Sequence, residues 1–424
     1  MLSEKPRADN SGIQLESILD VTHPLVKLSR QIDWEQFVKQ FGKLYSEEGR
    51  PSVPMRVMVG LQYLKSLYNE SDESVVAKWV ENPYWQYFCG CATFQHELPC
   101  HPTSLVKWRQ RVGAEGMEQL LKGILSTAMK VNALQAEMIK QVIADTTVQE
   151  KAIAFPTDAR LYDKARRALV RQAKRDGVLL RQTYAKAGKQ AQRQQSRYVA
   201  AQQFRRATRE TRKLQVFLGR VIRDVQRRVP QPSKQLQQVL DIALRIFTQQ
   251  RHDSPKLYSV HAPEVECIAK GKVHKKYEFG CKVAFVTTAH SNWIVGVQVH
   301  HDNPYDGATL KPGLKQVEAL TGVKVKEAVV DQGYRGANHH PEDVAVHVVG
   351  RHKATGALHQ LFKRRSAIEP IIGHTKQDHG MTRNHLLGKV GDKINAVLSA
   401  CGFNLAKLIH FFSDSTPTTV ALPE

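Results

Sequence analysis

Between residues 159 and 252 the sequence carries 24 Lys+Arg against 5 Asp+Glu. That surplus of 19 positive charges is most of the whole-chain net charge of +22. The stretch is rich in Gln and Ala, poor in Gly, and contains only Pro230 and Pro232. Leu179, Leu214, Val216, Phe217, Leu218, Val221, Ile222 and Val225 supply a partial apolar stripe. The pattern is that of long basic helices packed in pairs. The chain on either side has strand character, so any sheet must be assembled across this helical interruption. The expected organisation is a helical N-terminal domain over 15–120, an α/β domain split into 130–154 and 255–412, and a basic helical insertion over 155–254. So nearly single-signed a segment repels itself unless something neutralises it. A solvated helical hairpin without a ligand is the other reading of the same residues.

The apolar run 138–144 reads as a buried strand ending at Asp145. Residues 277–286 alternate and then run apolar, 293–299 form a second strand, and Ser291-Asn292 lies in the turn, which makes a β-hairpin. Residues 307–320 read as a helix, 325–330 as a strand ending at Asp331, and 366–378 and 391–411 as helices. The fold class is therefore α/β, a mixed sheet flanked by helices, with an all-α N-terminal domain. In that domain Met55, Met58, Leu61, Leu64 and Leu67 recur at helical spacing behind Pro54, 71–80 forms a second helix, and Pro102-Thr103-Ser104 starts a third bearing Lys107, Arg109 and Arg111. Short helices with a basic last member suit a helix-turn-helix-like DNA-binding module. They suit a helical bundle with a solvated basic face equally well.

The charge favours a polyanionic partner, with nucleic acid ahead of an anionic membrane surface, because no apolar run long enough to span a bilayer is evident. Residues 1–10 are polar and lack the apolar core of a secretory signal, so a cytoplasmic protein is expected. No Gly-rich phosphate loop of the P-loop type occurs, so no nucleotide cofactor is expected. Cys89, Cys91, Cys100 and His101 could be read as a zinc cluster, but the C-x-C pair is tighter than usual and no second pair follows. Buried reduced thiols among Tyr84, Trp85, Tyr87 and Phe88 are the expected state.

The two strand-end acids carry the chemistry. Open α/β sheets place their sites just beyond strand carboxyl ends, so neighbouring strands could bring Asp145 and Asp331 to one cation. Carboxylates held close together repel, and a cation keeps them ionised. Phosphodiester chemistry uses Mg²⁺ to activate the attacking oxygen and to stabilise the leaving one. Each Asp taken alone would be read as a turn residue or cap. The third acid is Glu369, where Arg365, Glu369, Gly373 and Lys376 share a helical face. Gly373 would leave room for a close approach. Ser366-Ala367-Ile368-Glu369 is also a capping box, with Pro370 allowed only in a first turn. The rival constellation is His300, His301, Asp302, Asn303 and Asp306. Adjacent His residues on a strand point to opposite faces, which argues against joint ligation there and at His339-His340.

Arg365, Glu369 and Lys376 reproduce the spacing of the Tyr-x2-Arg-x3-Glu-x6-Lys signature, with Phe362 in place of the Tyr. This resembles insertion-sequence DDE transposases. Asp331-Gln332-Gly333-Tyr334 is similar to their second-Asp motif, and Asp145-Thr146-Thr147-Val148 with Phe155-Pro156-Thr157-Asp158 to their first. Ala269-Lys270-Gly271-Lys272 with Glu278-Phe279-Gly280, and the helical N-terminus, resemble the group whose prototype is insertion sequence five. The resemblance covers roughly residues 15–412 and implies an RNase H-like core. It places Asp145 on the first strand, Asp331 at the end of the fourth and Glu369 on the following helix. All three would act as catalytic metal ligands for Mg²⁺, with Mn²⁺ as an alternative. Asp145 would bridge two ions, and Arg365 and Lys376 would hold the DNA backbone. The activity implied is cleavage at element ends followed by joining of the 3′-hydroxyls to target DNA, by a homodimer or larger assembly on terminal inverted repeats. An RNase H-like nuclease, or a non-catalytic DNA-binding protein derived from a transposase, is the alternative.

Overall fold

The structure, a computed structural model, describes residues 12–46, 48, 51–269, 276–350 and 355–414. Residues 1–10 and Lys270, Gly271 and Lys272 of the expected motif lie outside them. The chain divides into two compact units, Met1–Glu150 with Cys281–Glu424, and Lys151–Gly280.

Among the described residues six strands form: β1 (Gln141–Glu150), β2 (Glu266–Ala269), β3 (Tyr277–Thr288), β4 (Ile294–His300), β5 (Glu327–Val330) and β6 (Ala345–Val348). In the first unit the order is β4-β3-β1-β5-β6. The expected hairpin is the antiparallel pair β3 and β4, in which Val283 lies opposite Val299 and Phe285 opposite Val297. Strands β1, β5 and β6 run parallel. β1 does not stop at Asp145 but runs on to Glu150. The polar residues that made 138–144 look like the whole strand are satisfied inside the protein. Gln149 is buried; its Nε2 donates to the Asp392 carbonyl (3.0 Å) and its Oε1 accepts from Asn395 Nδ2 (3.0 Å).

One helix anchors this unit. Gly388–Asp414 packs against helices Pro102–Lys130 and Met55–Leu67 and against β4. By length and composition it could cross a bilayer, so the expectation that no run is long enough does not hold. Its apolar residues serve a core here: Leu398, Cys401, Leu405 and Leu408 are buried, and Asn404 accepts from Ile294 N (3.1 Å) and donates to Ile294 O (2.8 Å). Gly402 lets it approach Met55–Leu67 closely, since a Cβ there would lie 2.3 Å from the Ser66 carbonyl oxygen. Pro102–Lys130 is broken at Gly113, whose φ of 70° a residue with a side chain rarely adopts.

Among its described residues the second unit holds four helices, Asp158–Arg175, Ala185–Ala200, Phe204–Arg228 and Lys234–Thr248. Leu161, Leu169, Leu214, Leu218, Val221, Ile222, Val225, Leu236, Leu240 and Ile246 give them a core of their own. Leu179 and Val216, expected in the apolar stripe, are exposed instead.

Candidate active site

The sheet register brings the two aspartates together. β1 and β5 pair Gln141 with Glu327, Val142 with Ala328 and Ile143 with Val329. Continuing that register by two residues sets Asp145 level with Asp331, on the face of Ile143 and Val329. Local backbone groups hold both carboxylates: Asp145 Oδ1 accepts from Thr146 N (2.7 Å) and Asp331 Oδ1 from Gly333 N (2.8 Å).

Glu369 arrives from a different element. Helix Gly356–Arg364 continues through a tight turn, Arg365–Ala367, into helix Ile368–Gln377, which packs against β1. From that turn the Arg365 guanidinium reaches all three acids. Its Nη2 donates to Asp145 Oδ2 at 3.0 Å and lies 3.6 Å from Asp331 Oδ2, and its Nη1 is 3.7 Å from Glu369 Oε1. Acids that would repel one another are thus gathered around one cation. Their side chains are 15, 36 and 67 % exposed in that order, so Asp145 is the floor of the centre and Glu369 its open rim.

A fourth carboxylate adjoins them. Asp306 opens a turn, Asp306–Thr309, and its Oδ1 accepts from Lys282 Nζ (2.7 Å) and Thr146 Oγ1 (3.0 Å). A Cβ on Gly333 would meet Asp331 Oδ1 at 2.9 Å and Asp306 Oδ2 at 3.1 Å, so the two acids close on that position from either side. Tyr334, next in the chain, is buried. Burial first, then the charges of Asp145, Asp306 and Asp331, push its hydroxyl well above the ordinary tyrosine value, which keeps it protonated. Asp306 therefore belongs with the aspartates and not with the histidines beside which it was read. His301 Nε2 faces Asp392 Oδ2 at 3.7 Å, and burial, then Lys282, His301 and Lys393, hold the His300 pKa down. Nothing in the sequence separates Asp306 from Asp302, an acid of the same loop. Lys282 did carry a signal: a lysine inside an apolar strand needs a carboxylate partner.

Among the described residues no group of three or more His, Cys, Asp or Glu side chains is spaced to hold a metal ion. All six cysteines are thiols; of those expected to be buried, Cys89 and Cys91 are, and Cys100 is partly so. Burial raises Cys91 to about 12 and Cys100 to about 11, far from the thiolate that zinc needs. Asp145, Asp331 and Glu369 nevertheless fit a divalent cation in kind. They are oxygen donors, as hard cations require, and the point they surround already carries positive charge.

The expected DNA contacts separate. Lys107 and Arg111 are exposed, Arg111 lying over the Tyr45 ring at 4.6 Å. Arg109 is not available to a ligand: it is 3 % exposed and bound to Asp72 through Nη1 (2.8 Å) and Nη2 (2.5 Å). A helix face shows where a residue points only when its neighbours are known, and here Asp72 and Gln62 turn that face inward. Arg365 is directed into the acids and not outward. Lys376 lines a cleft of about 880 Å³ with Arg383 and His385. The capping box does not form. Ser366 Oγ donates to the Lys363 carbonyl (2.9 Å), and the preceding helix leaves no free end to cap. Nothing lies within 4 Å of a Cβ built on Gly373, so its expected close approach has no counterpart within the protein.

A family model described as a transposase domain (DUF772) matches residues 13–111, and one described as a transposase DDE domain matches residues 332–409. These two stretches match transposase domains and support a transposase function. Glu369 falls inside the second match and Asp331 immediately before it. The chain is also 47 % identical over 191 residues to the uncharacterized protein ORF8 in the nfe locus of Rhizobium meliloti, covering 45 % of this chain and 92 % of that protein. No solved structure matches.

Proposed function

We propose that the chain is a DDE transposase, of the group whose prototype is insertion sequence five, that cuts the ends of its element and joins the freed 3′-hydroxyls to target DNA. Asp145, Asp331 and Glu369 form the reaction centre, within an RNase H-like sheet. The observation that carries the reading is the meeting of three acids, from two strands and a helix far apart in the chain, at one guanidinium. The strand order supports it: leaving out β2, Asp145 is on the first strand and Asp331 follows the fourth.

The three carboxylates would hold Mg²⁺ or Mn²⁺, which supplies activation of the attacking oxygen and stabilisation of the leaving one. Thr146 N–H and Gly333 N–H orient Asp145 and Asp331. Arg365, which faces the three acids, would turn to a non-bridging phosphate oxygen if a divalent cation took its place among them. Lys376, on the helix that follows its turn, holds the neighbouring backbone.

A duplex carrying an element end, incubated with Mg²⁺, tests this. The wild type should nick it and yield strand-transfer products. Asp145→Asn, Asp331→Asn and Glu369→Gln should each lose about a thousandfold in cleavage, equivalent to several kcal/mol of barrier, while still binding DNA. Normal cleavage by any variant removes that residue from the centre, and nicking without joining leaves a nuclease.

A further inference from the structure

Over residues 159–252 five acids face 24 cations, and three of the five are already held by cations of their own helices. Asp163 pairs with Arg166 (2.6 Å) and Arg167 (3.9 Å), Glu210 with Lys213 (2.7 Å), and Asp224 with Arg228 (3.0 Å) and Arg227 (3.8 Å). Asp176 accepts from Gln172 and Ser233, and Asp241 from Gln237. Those are all five acids of residues 159–252.

Helix Ala185–Ala200 contains none of them. It gives the interior only Gly188 and Ala191. Its outer face presents Lys186, Lys189, Arg193 and Arg197, all exposed, with Gln190 and Gln194 between them, along a groove of about 310 Å³. The four cations fall at i, i+3, i+7 and i+11, one line about 16 Å long. Like charges at such spacings destabilise a helix, and no opposite charge on this helix offsets them. At its N-terminal end, next to Tyr184, lies a second cleft of about 480 Å³ lined by Arg181, Arg220, Arg223 and Arg227. Tyr184 stacks on Phe217 (centroids 4.8 Å apart, 11°) with the Arg220 guanidinium 5.8 Å from its ring, so that ring forms wall and not a free stacking platform. The single acid of the cleft, Asp224, is already shared by Arg227, Arg228 and the Arg181 backbone N–H.

We propose that Lys186, Lys189, Arg193 and Arg197, continued by Arg220 and Arg223, form a track for the phosphodiester backbone of duplex DNA. The line carries no aromatic residue, which favours backbone contact over the base stacking that single strands use. The choice of DNA among polyanions rests on the transposase reading; the track itself rests on the unpaired charge.

The test is the salt dependence of binding by the full chain to a duplex of arbitrary sequence. Each lost phosphate contact should flatten the slope of log K against log salt by roughly 0.9. The variant K186Q/K189Q/R193Q/R197Q should therefore be shallower by about 3 to 4, and its free form should melt no lower than the wild type, because repulsion is relieved. R220Q/R223Q should be shallower by about 2 and serves if the first variant does not fold. An unchanged slope in a folded variant overturns the track, as does tighter binding of single-stranded DNA or RNA of equal length by the wild type. The slope is read without Mg²⁺ and cleavage with it, so the track fails on slopes and the acidic centre fails on cleavage.

Discussion

The acidic centre and the basic insertion handle charge in opposite ways. At the centre the cations reach acids distant in sequence: Arg365 meets Asp145 and Asp331 besides its near neighbour Glu369, and Lys282 meets Asp306. In the insertion the pairs are local, Asp163 with Arg166, Glu210 with Lys213 and Asp224 with Arg228, each three or four residues apart on one helix. Local pairing consumes three of the five acids and leaves the surplus facing outward. Distant pairing brings acids together that could not otherwise share a surface. Arg365 and Lys282 are thus counter-ions within the protein, whereas the outer cations of the insertion await one from outside.

That contrast can be broken most sharply at Arg109. Removing it as Arg109→Ala leaves the partly buried Asp72 with Lys65 as its remaining cation and should cost about 1–3 kcal/mol, read as a fall in melting temperature, whereas Arg193→Gln in the insertion should cost nothing measurable. The pair should also show in pH. Burial acts to raise the Asp72 pKa, but hydrogen bonding from Arg109 and the charges of Lys65 and Arg109 outweigh it and hold it below the ordinary value. Its stabilisation is complete above the ordinary carboxylate range and is lost as pH falls through the lowered value. The gap between wild type and Asp72→Asn should therefore close below about pH 4; a gap constant with pH would contradict the pairing.

Asp306→Asn sharpens the comparison from the other side. Asp306 touches Thr146 and Lys282 and flanks Gly333, so it positions Asp145 and Asp331. Its loss should lower cleavage about 10- to 100-fold, as for other groups that orient ligands, with the DNA salt slope unchanged. Equal cleavage would leave Asp306 as a loop acid only. The smallest effect belongs to Ser366→Ala. A working cap would be worth about 1 kcal/mol; with Ser366 bonded to Lys363 instead, the change should stay within about 0.5 kcal/mol.

What could be read in advance follows from range. The hairpin of β3 and β4 and the strand before Asp331 are visible in alternation and apolar runs, because each is specified by its own residues. The surplus of the insertion is visible in composition. β1 beyond Asp145 was not, because Thr146, Thr147 and Gln149 look exposed until Asp392 and Asn395 come to meet Gln149. Arg109 was misplaced for the same reason: its partner Asp72 lies on another helix. Asp145, Asp331 and Glu369 were singled out by spacing and resemblance, while Asp306 and Lys282 needed coordinates, since their link crosses from a strand to a turn.

The most direct test is Mn²⁺ binding to the full chain, followed by electron paramagnetic resonance with an element-end duplex present. The expected result is a bound ion in an oxygen environment, whose affinity drops at least about tenfold in each of Asp145→Asn, Asp331→Asn and Glu369→Gln. Binding that none of the three changes would contradict a shared centre.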